Sequence, residues 1–169
     1  MRKTFAVLVT LLVLLLCSCS SAKEIRPYLA GISFTAEMTY YNETYQFEGE
    51  IFSDGTLKIS MTEPEQLKDL NITMSGEGIA VEYKGLTYTP VEGSMPFSAV
   101  LEEFYQPIRE IVLSDAAVAD SNGVLTGSAG TLGYTLTVSP TGLPQKLEIP
   151  DERFTVKFYN VSVKEDVND

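Results

Sequence analysis

Apolar and polar residues alternate along most of the chain after residue 32, which is the pattern of half-buried β-strands. In residues 33–40 the apolar side chains of Phe34 and Met38 alternate with polar Thr35 and Glu37, so one face of this segment is expected to lie in a core and the other in water. The same alternation recurs in residues 45–51, 57–61, 72–74, 79–83, 86–88, 124–125, 132–138, 147–149 and 154–163. The pattern predicts roughly nine or ten strands.

Turn signals separate these strands and favour antiparallel hairpins. Asp54-Gly55 is the strongest of them, because Asp-Gly is a preferred pair in tight hairpin turns, and residues 42–43 and 75–78 are also turn-forming. In the last strand the apolar positions change phase between Phe158 and Tyr159. A β-bulge near these two residues would explain the change.

One segment, residues 96–112, has its apolar residues at helical spacing instead. They include Phe97, Leu101 and Phe104, and Pro107 inside the segment is expected to kink or split the helix. An apolar helix stripe needs an apolar partner, and the sheet offers one. The predicted fold is therefore mainly β, a strongly curved antiparallel sheet or half-barrel, with one helix packed on its concave face.

The order of these features resembles the LolA-like half-barrels. The resemblance rests on Met61-Thr62-Glu63-Pro64, the 82–88 hairpin, the single helical insert, and Gly142-Leu143-Pro144 before a strand. It implies a half-barrel domain and a lipid, or the acyl chain of a lipoprotein, as ligand. Two features depart from the carriers of that superfamily, since residues 25–34 show no helical pattern and the chain carries an acylation signal. Transport between membranes is therefore not implied.

The N-terminus has the features of a lipoprotein signal. Arg2 and Lys3 precede an uncharged apolar run over residues 5–16, which is too short to span a bilayer because spanning takes about 20 apolar residues. Leu16-Cys17-Ser18-Cys19 then resembles the lipobox of bacterial lipoproteins, whose cysteine receives lipid chains such as palmitate. Cys19 fits this pattern and Cys17 does not, since Leu16 precedes it. The alternative is an ordinary signal peptide that ends at Ser18.

These observations predict four parts. They are a signal peptide over residues 1–18, the lipidated Cys19 with a tether over residues 19–31, a LolA-like β domain over residues 32–163, and an acidic tail over residues 164–169. We expect the domain to lie on the extracytoplasmic face of the cell membrane. Removal of Cys17 and alkylation of Cys19 would leave no cysteine for a disulfide.

Charge narrows the range of partners. Without Arg2 and Lys3 the chain keeps ten basic residues against 23 acidic ones, a formal net charge of −13. Phosphate backbones and anionic headgroups repel such a protein. We therefore expect no nucleic acid partner, and membrane contact through the lipid on Cys19; the sequence does not identify a protein partner.

The chemistry-bearing residues argue against an enzyme. The chain contains no histidine, which excludes triads with a histidine base and histidine-ligated metals. Paired carboxylates can hydrolyse glycosides, but Glu37, Glu48 and Glu82 fall on the polar faces of their strands. Acidic residues such as Asp115 and Asp120 lack the spacing of a calcium loop. We expect no catalytic residue, no metal and no cofactor.

Two functional classes remain open. In the first, the space between sheet and helix is a cavity for an apolar ligand. Its predicted lining residues are Phe34, Met38, Phe47, Ile59, Met61, Phe97, Leu101 and Phe104. In the second, the same residues form an ordinary core and the domain acts through its outer surface as an interaction or structural module. The volume of the cavity distinguishes the two classes.

Overall fold

The computed structural model of the protein describes residues 24–89 and 96–164, and for residues 96–100 it describes the backbone alone. Cys19, the side chain of Phe97 and residues 165–169 of the predicted acidic tail lie outside the described residues. The described part contains ten strands, one α-helix and two short 3-10 helices. No helix in this part is long and apolar enough to cross a bilayer.

The elements follow one another in a simple order. The strands are β1 Ile32–Tyr40, β2 Glu43–Ile51, β3 Leu57–Glu63, β4 Leu70–Ser75, β5 Gly78–Tyr83, β6 Leu86–Tyr88, β7 Val124–Ala129, β8 Leu132–Val138, β9 Pro144–Ile149 and β10 Phe154–Val163. The helix α1, Pro96–Leu113, joins β6 to β7, and the 3-10 helices are Glu65–Leu67 and Pro150–Glu152.

All ten strands form one antiparallel sheet in the order β6-β5-β4-β3-β2-β1-β10-β9-β8-β7. The first and last strands of the chain, β1 and β10, pair in its middle, and β6 and β7 form its two edges, so the sheet is not closed. Directly paired residues point to the same face. The pairs Phe47–Met61, Ile59–Ile72 and Leu136–Leu147 are all buried, so one face, here called the inner face, carries the core.

The predicted phase change in β10 is a bulge. Ser33 of β1 pairs with Ser162, but Thr35 pairs with Tyr159, so β10 has one extra residue over this interval. Asn160 in the bulge has a positive φ of 50°. Phe158 is buried and Tyr159 is exposed on the outer face, and after the bulge Val161 packs against the core again.

The helix lies on the inner face, where predicted. Phe104 is fully buried, and its ring centroid lies 6.0 Å from those of Phe47 on β2 and Phe154 on β10. The helix continues through Pro107 to Leu113, so the predicted split at Pro107 is wrong. Pro107 is buried, and although it leaves the carbonyl of Glu103 without its usual helical donor, tertiary packing of the apolar stripe holds both halves in one helix. The predicted fold class is confirmed.

The described residues before β1 are packed against the domain. Ile25 exchanges two backbone hydrogen bonds with Ala119 (3.1 and 2.8 Å), and the Tyr28 N–H donates to the Gly142 carbonyl at 2.7 Å. Leu29 is buried in the core. The second half of the predicted tether is therefore held against the sheet.

Candidate functional site on the inner face

The predicted cavity residues come together on the inner face. Phe34, Met38, Phe47, Ile59, Met61, Leu101 and Phe104 all belong to one core cluster, and none is more than 3% exposed. Their strands place them there because each occupies the inward phase of the alternation. The structure thus brings seven of the eight predicted residues together, and the side chain of Phe97 lies outside the described residues.

Aromatic rings fill the space between these residues. Phe34 packs edge-on against Phe47 and Phe158, with centroid distances of 6.2 and 5.0 Å, and Phe104 lies 6.4 Å from Phe158. These distances are those of attractive ring pairs. Gly49 makes room for this packing, because a Cβ at that position would overlap the Phe34 ring. In the described part, this region is built as core, and a ligand here would have to displace rings.

The inner face extends beyond the helix, and there it is open. Ile72 in the core pairs with Val81, and Val81 pairs with Tyr88 at the edge, so the three side chains share the inner face. Tyr83 and Leu86 pair with each other beside them. The exposed fractions are 36% for Tyr83, 77% for Leu86 and 50% for Tyr88. We call Val81, Tyr83, Leu86 and Tyr88 the open inner patch.

A recess connects this patch to the helix. It has a volume of about 190 Å³, and Ile79, Tyr105, Gln106 and Arg109 are among its lining residues. Ile79 precedes Val81 by two positions on β5, so it continues the inner face toward the helix. The Tyr105 hydroxyl is buried without a hydrogen-bond partner among the described residues, and burial raises the pKa of this phenol. An apolar surface with a nearby unpaired hydroxyl is thus formed at β5, β6 and α1.

The hydrophobic alternation does not single out these residues. Val81, Tyr83, Leu86 and Tyr88 have the same spacing as the buried residues of β1 to β3, because the alternation reports which face a side chain lies on and not what covers that face. The available signal is the density of large aromatic residues in two adjacent short strands. The sequence pattern therefore did not identify the open inner patch as a candidate site.

Two larger recesses lie on the opposite, outer face. One of about 380 Å³ is lined by Ser33, Glu48, Lys58 and other residues, and a second of about 300 Å³ adjoins it at Glu48. Their walls are the polar side chains of adjacent strands. Within this face the structure forms the ion pair Lys157–Glu37 at 2.9 Å, which raises the pKa of Lys157. The outer face is a polar, solvated surface.

One carboxyl group on the helix is partly buried. Glu102 and Glu110 are exposed, but Glu103 is half-buried, and its Oε2 atom has no hydrogen-bond partner among the described residues. Burial, and then repulsion from Glu152, raise the pKa of Glu103. Residues 24–89 and 96–164 contain no group of three or more His, Cys, Asp or Glu residues that could hold a metal ion.

Comparison with known proteins gives structural similarity only. No family model and no curated protein matches the chain. It is similar to the crystal structure of a LolA superfamily protein from Nitrosomonas europaea, with 10% identity and a TM-score of 0.41, over 83% of this chain and 89% of that one. It is also similar to a DUF1329 family protein from Desulfovibrio piger, with 10% identity and a TM-score of 0.43, over 88% of each chain.

Proposed function

We propose that this protein is a lipid-anchored, extracytoplasmic lipoprotein that binds an apolar ligand on the open inner patch. The observation that carries the proposal is the exposure of Tyr83, Leu86 and Tyr88 on the same face that forms the core elsewhere in the sheet. Contiguous apolar surface of this kind on a soluble domain is typical of a binding site.

The shape of the site suggests the class of ligand. The patch lies along two strands and leads through Ile79 to the recess beside Tyr105. An acyl chain would cover the apolar side chains, and a carbonyl or ester oxygen at its end could accept a hydrogen bond from the buried Tyr105 hydroxyl. A lipid is also the ligand implied by the resemblance to LolA-like half-barrels. The role is binding, and we assign no catalytic residue.

The lipobox supports the membrane anchor. Leu16-Cys17-Ser18-Cys19 follows an apolar run that is too short to span a bilayer, and acylation of Cys19 would hold the domain at the membrane surface. A net charge of −13 after loss of the signal gives no electrostatic attraction to anionic headgroups. In this proposal the attached lipid supplies the membrane affinity.

A second candidate function follows from the filled interior. Because rings occupy the space around Phe104, the domain could act without a lipid ligand, as a protein-interaction or structural module. The open inner patch would then contact a protein. The two candidates predict different compositions for the purified protein.

Native mass spectrometry of the chain from Ser20 onward, purified from its own host, distinguishes them. The ligand proposal predicts an added mass that matches a lipid and that organic solvent removes. A chain that carries no lipid and takes up none from added phospholipid or fatty acid would contradict the proposal and favour the interaction module.

A further inference from the structure

We propose that the domain contacts the bilayer with one particular end of its sheet, the end that carries Tyr28, Leu113 and Val163. We call this the anchor end. The proposal deepens the proposed function, because it rests on a lipid attached to Cys19. It adds a second membrane contact, made by exposed side chains of the folded domain.

Strand pairing and one helix contact place Val163 and Leu113 at the same end of the sheet. Val163 pairs with Ile32 at the start of β1, which also pairs with Ile51 at the end of β2. Leu113, the last residue of α1, lies against Gly55 in the turn that follows β2. Val163 and Leu113 therefore both lie at the end of the sheet where β1 begins.

The third side chain, Tyr28, is held at this end by backbone hydrogen bonds. Its N–H donates to the Gly142 carbonyl, and Gly142 lies in the turn between β8 and β9. That turn follows Val138 and precedes Pro144, which pair with each other. Because β9 is antiparallel to β10, its beginning lies toward the C-terminal half of β10. Tyr28 also lines a recess together with Ile111 and Val112, close to the end of α1 that carries Leu113.

The distance from the anchor is short. Ile25 is held by two hydrogen bonds to Ala119, and only five residue steps separate Cys19 from Glu24. A chain of that length spans at most roughly 17 Å. The nine residues of β1 are about 26 Å long, so an anchor on Cys19 brings the anchor end to the bilayer and leaves the end with Tyr41 too far away.

The exposed side chains at the anchor end are of the types that favour the interface between membrane and water. The exposed fractions are 44% for Tyr28, 54% for Leu113 and 48% for Val163. Tyrosine is enriched where a membrane meets water, because its ring is apolar and its hydroxyl is polar. Leucine and valine have no polar group to lose on leaving water. These three residues are exposed without a covering element in the described part of the chain.

The charged residues at the anchor end indicate which kind of membrane contact it can make. Arg26 lies near Asp115 around a recess beside Tyr28, and Lys164 is paired with Glu50 at 2.7 Å. Among the described residues, basic side chains at the anchor end therefore stand together with acidic ones and do not form a separate basic patch for anionic headgroups. Its contact with the bilayer should depend on apolar burial, and it should be the same on neutral and anionic membranes.

The absence of tryptophan from the sequence allows a direct test. Tyr28→Trp and Tyr41→Trp each introduce one fluorophore at a residue that is about half-exposed, 44% and 49%, at opposite ends of the sheet. Each mature, lipidated variant is reconstituted in phosphatidylcholine vesicles whose acyl chains carry bromine, a short-range quencher. Leu113→Trp provides a second reporter at the anchor end in case Tyr28→Trp does not fold.

The proposal predicts that Tyr28→Trp and Leu113→Trp lose most of their fluorescence in brominated vesicles, whereas Tyr41→Trp keeps it. Addition of phosphatidylglycerol should not change the result. Equal quenching at both ends, or quenching of Tyr41→Trp alone, overturns the proposed orientation. A protein that does not remain on the vesicles overturns the lipid anchor itself. Failure of the ligand proposal is measured separately, by the absence of a co-purifying lipid.

Discussion

Individual side chains on the inner face have one of two surroundings, and the difference decides what each can do. Phe104 is surrounded by Phe47, Phe154 and Phe158, whereas Leu86 has 77% of its surface exposed. The first kind of residue contributes stability through buried area and ring contacts. The second kind contributes little to folding and is free to bind.

Replacement of Phe104 by alanine should destabilise the fold. The ring is fully buried, and loss of such a ring costs about 3–5 kcal/mol in the free energy of unfolding. Denaturant titration measures the loss, and Leu113→Ala, at an exposed residue on the same helix, is the control. If Phe104→Ala leaves the midpoint unchanged, the ring is not part of a packed core.

Gly49 tests how tightly the rings are packed. A Cβ there would overlap the Phe34 ring, which cannot move easily because Phe47 and Phe158 flank it. Gly49→Ala should therefore cost about 1–3 kcal/mol. Gly133→Ala is the matched control, since a Cβ at that strand position would meet open space. Equal unfolding midpoints for the two variants would contradict the packing described around Phe34.

At the scale of elements, a single helix covers only part of a wide sheet. Contacts of Phe104 reach β2 and β10, and the recess beside Tyr105 marks where the helix meets β5. Beyond it, the Tyr83 hydroxyl of β5 donates a hydrogen bond to the Gln66 carbonyl of the first 3-10 helix at 3.3 Å, and Leu86 and Tyr88 of β6 are at least half-exposed. Within the described residues one helix faces ten strands, and the open inner patch is the part of the inner face that this helix leaves uncovered.

The helix also carries a carboxyl group whose burial should make stability depend on pH. Because the folded-state pKa of Glu103 is raised by burial and by Glu152, the folded state favours the protonated carboxyl. The stabilisation that comes from the protonated Glu103 carboxyl is complete at pH values below the ordinary glutamate pKa of about 4.3. It is lost as pH rises through the folded-state pKa of Glu103. Glu103→Gln should therefore be more stable than the wild type at pH 7, and the difference should shrink near pH 4.

Unfolding midpoints at both pH values measure this dependence. Glu102→Gln, an exposed neighbour on the same helix, is the control and should leave the midpoint unchanged. A Glu103→Gln variant that is less stable than the wild type at pH 7 would show that the charged carboxyl has a stabilising partner.

The elements also show how far sequence reasoning reaches. Alternation predicted the strands, the Asp54-Gly55 turn and the bulge after Phe158, because local periodicity and turn chemistry determine these features. It did not predict the packing of residues 25–31, which have no periodicity and are held by backbone hydrogen bonds to distant loops. It also did not distinguish the open residue Tyr83 from the covered residue Phe47, since cover depends on tertiary arrangement.

At the scale of the whole molecule, the proposed anchor and the proposed ligand site lie on different parts of the sheet. The open inner patch lies on edge strands β5 and β6, while Tyr28 and Val163 lie at the end of the sheet where β1 begins. If both proposals hold, the inner face stands beside the bilayer, and an acyl chain could reach it without release of the protein from the membrane.

The anchor is tested by two serine substitutions. Cys19→Ser should release the protein into the medium or leave it unprocessed, whereas Cys17→Ser should leave anchoring largely intact, because only Cys19 fits the lipobox. Metabolic labelling with palmitate and membrane fractionation measure the outcome. Retention of labelled acyl chains by Cys19→Ser would contradict the assignment of the anchor.

Binding of a fluorescent fatty acid to the chain from Ser20 onward tests the central claim most directly. Leu86→Gln removes an apolar side chain from the open inner patch, and Thr87→Gln makes a matched change on the other face of the same strand. Loss of a leucine contact that contributes about 1.4 kcal/mol to binding weakens the affinity about tenfold. We predict that loss for Leu86→Gln and near-wild-type affinity for Thr87→Gln, with both variants folded. Equal affinity in all three proteins, or no binding by the wild type, would contradict the claim.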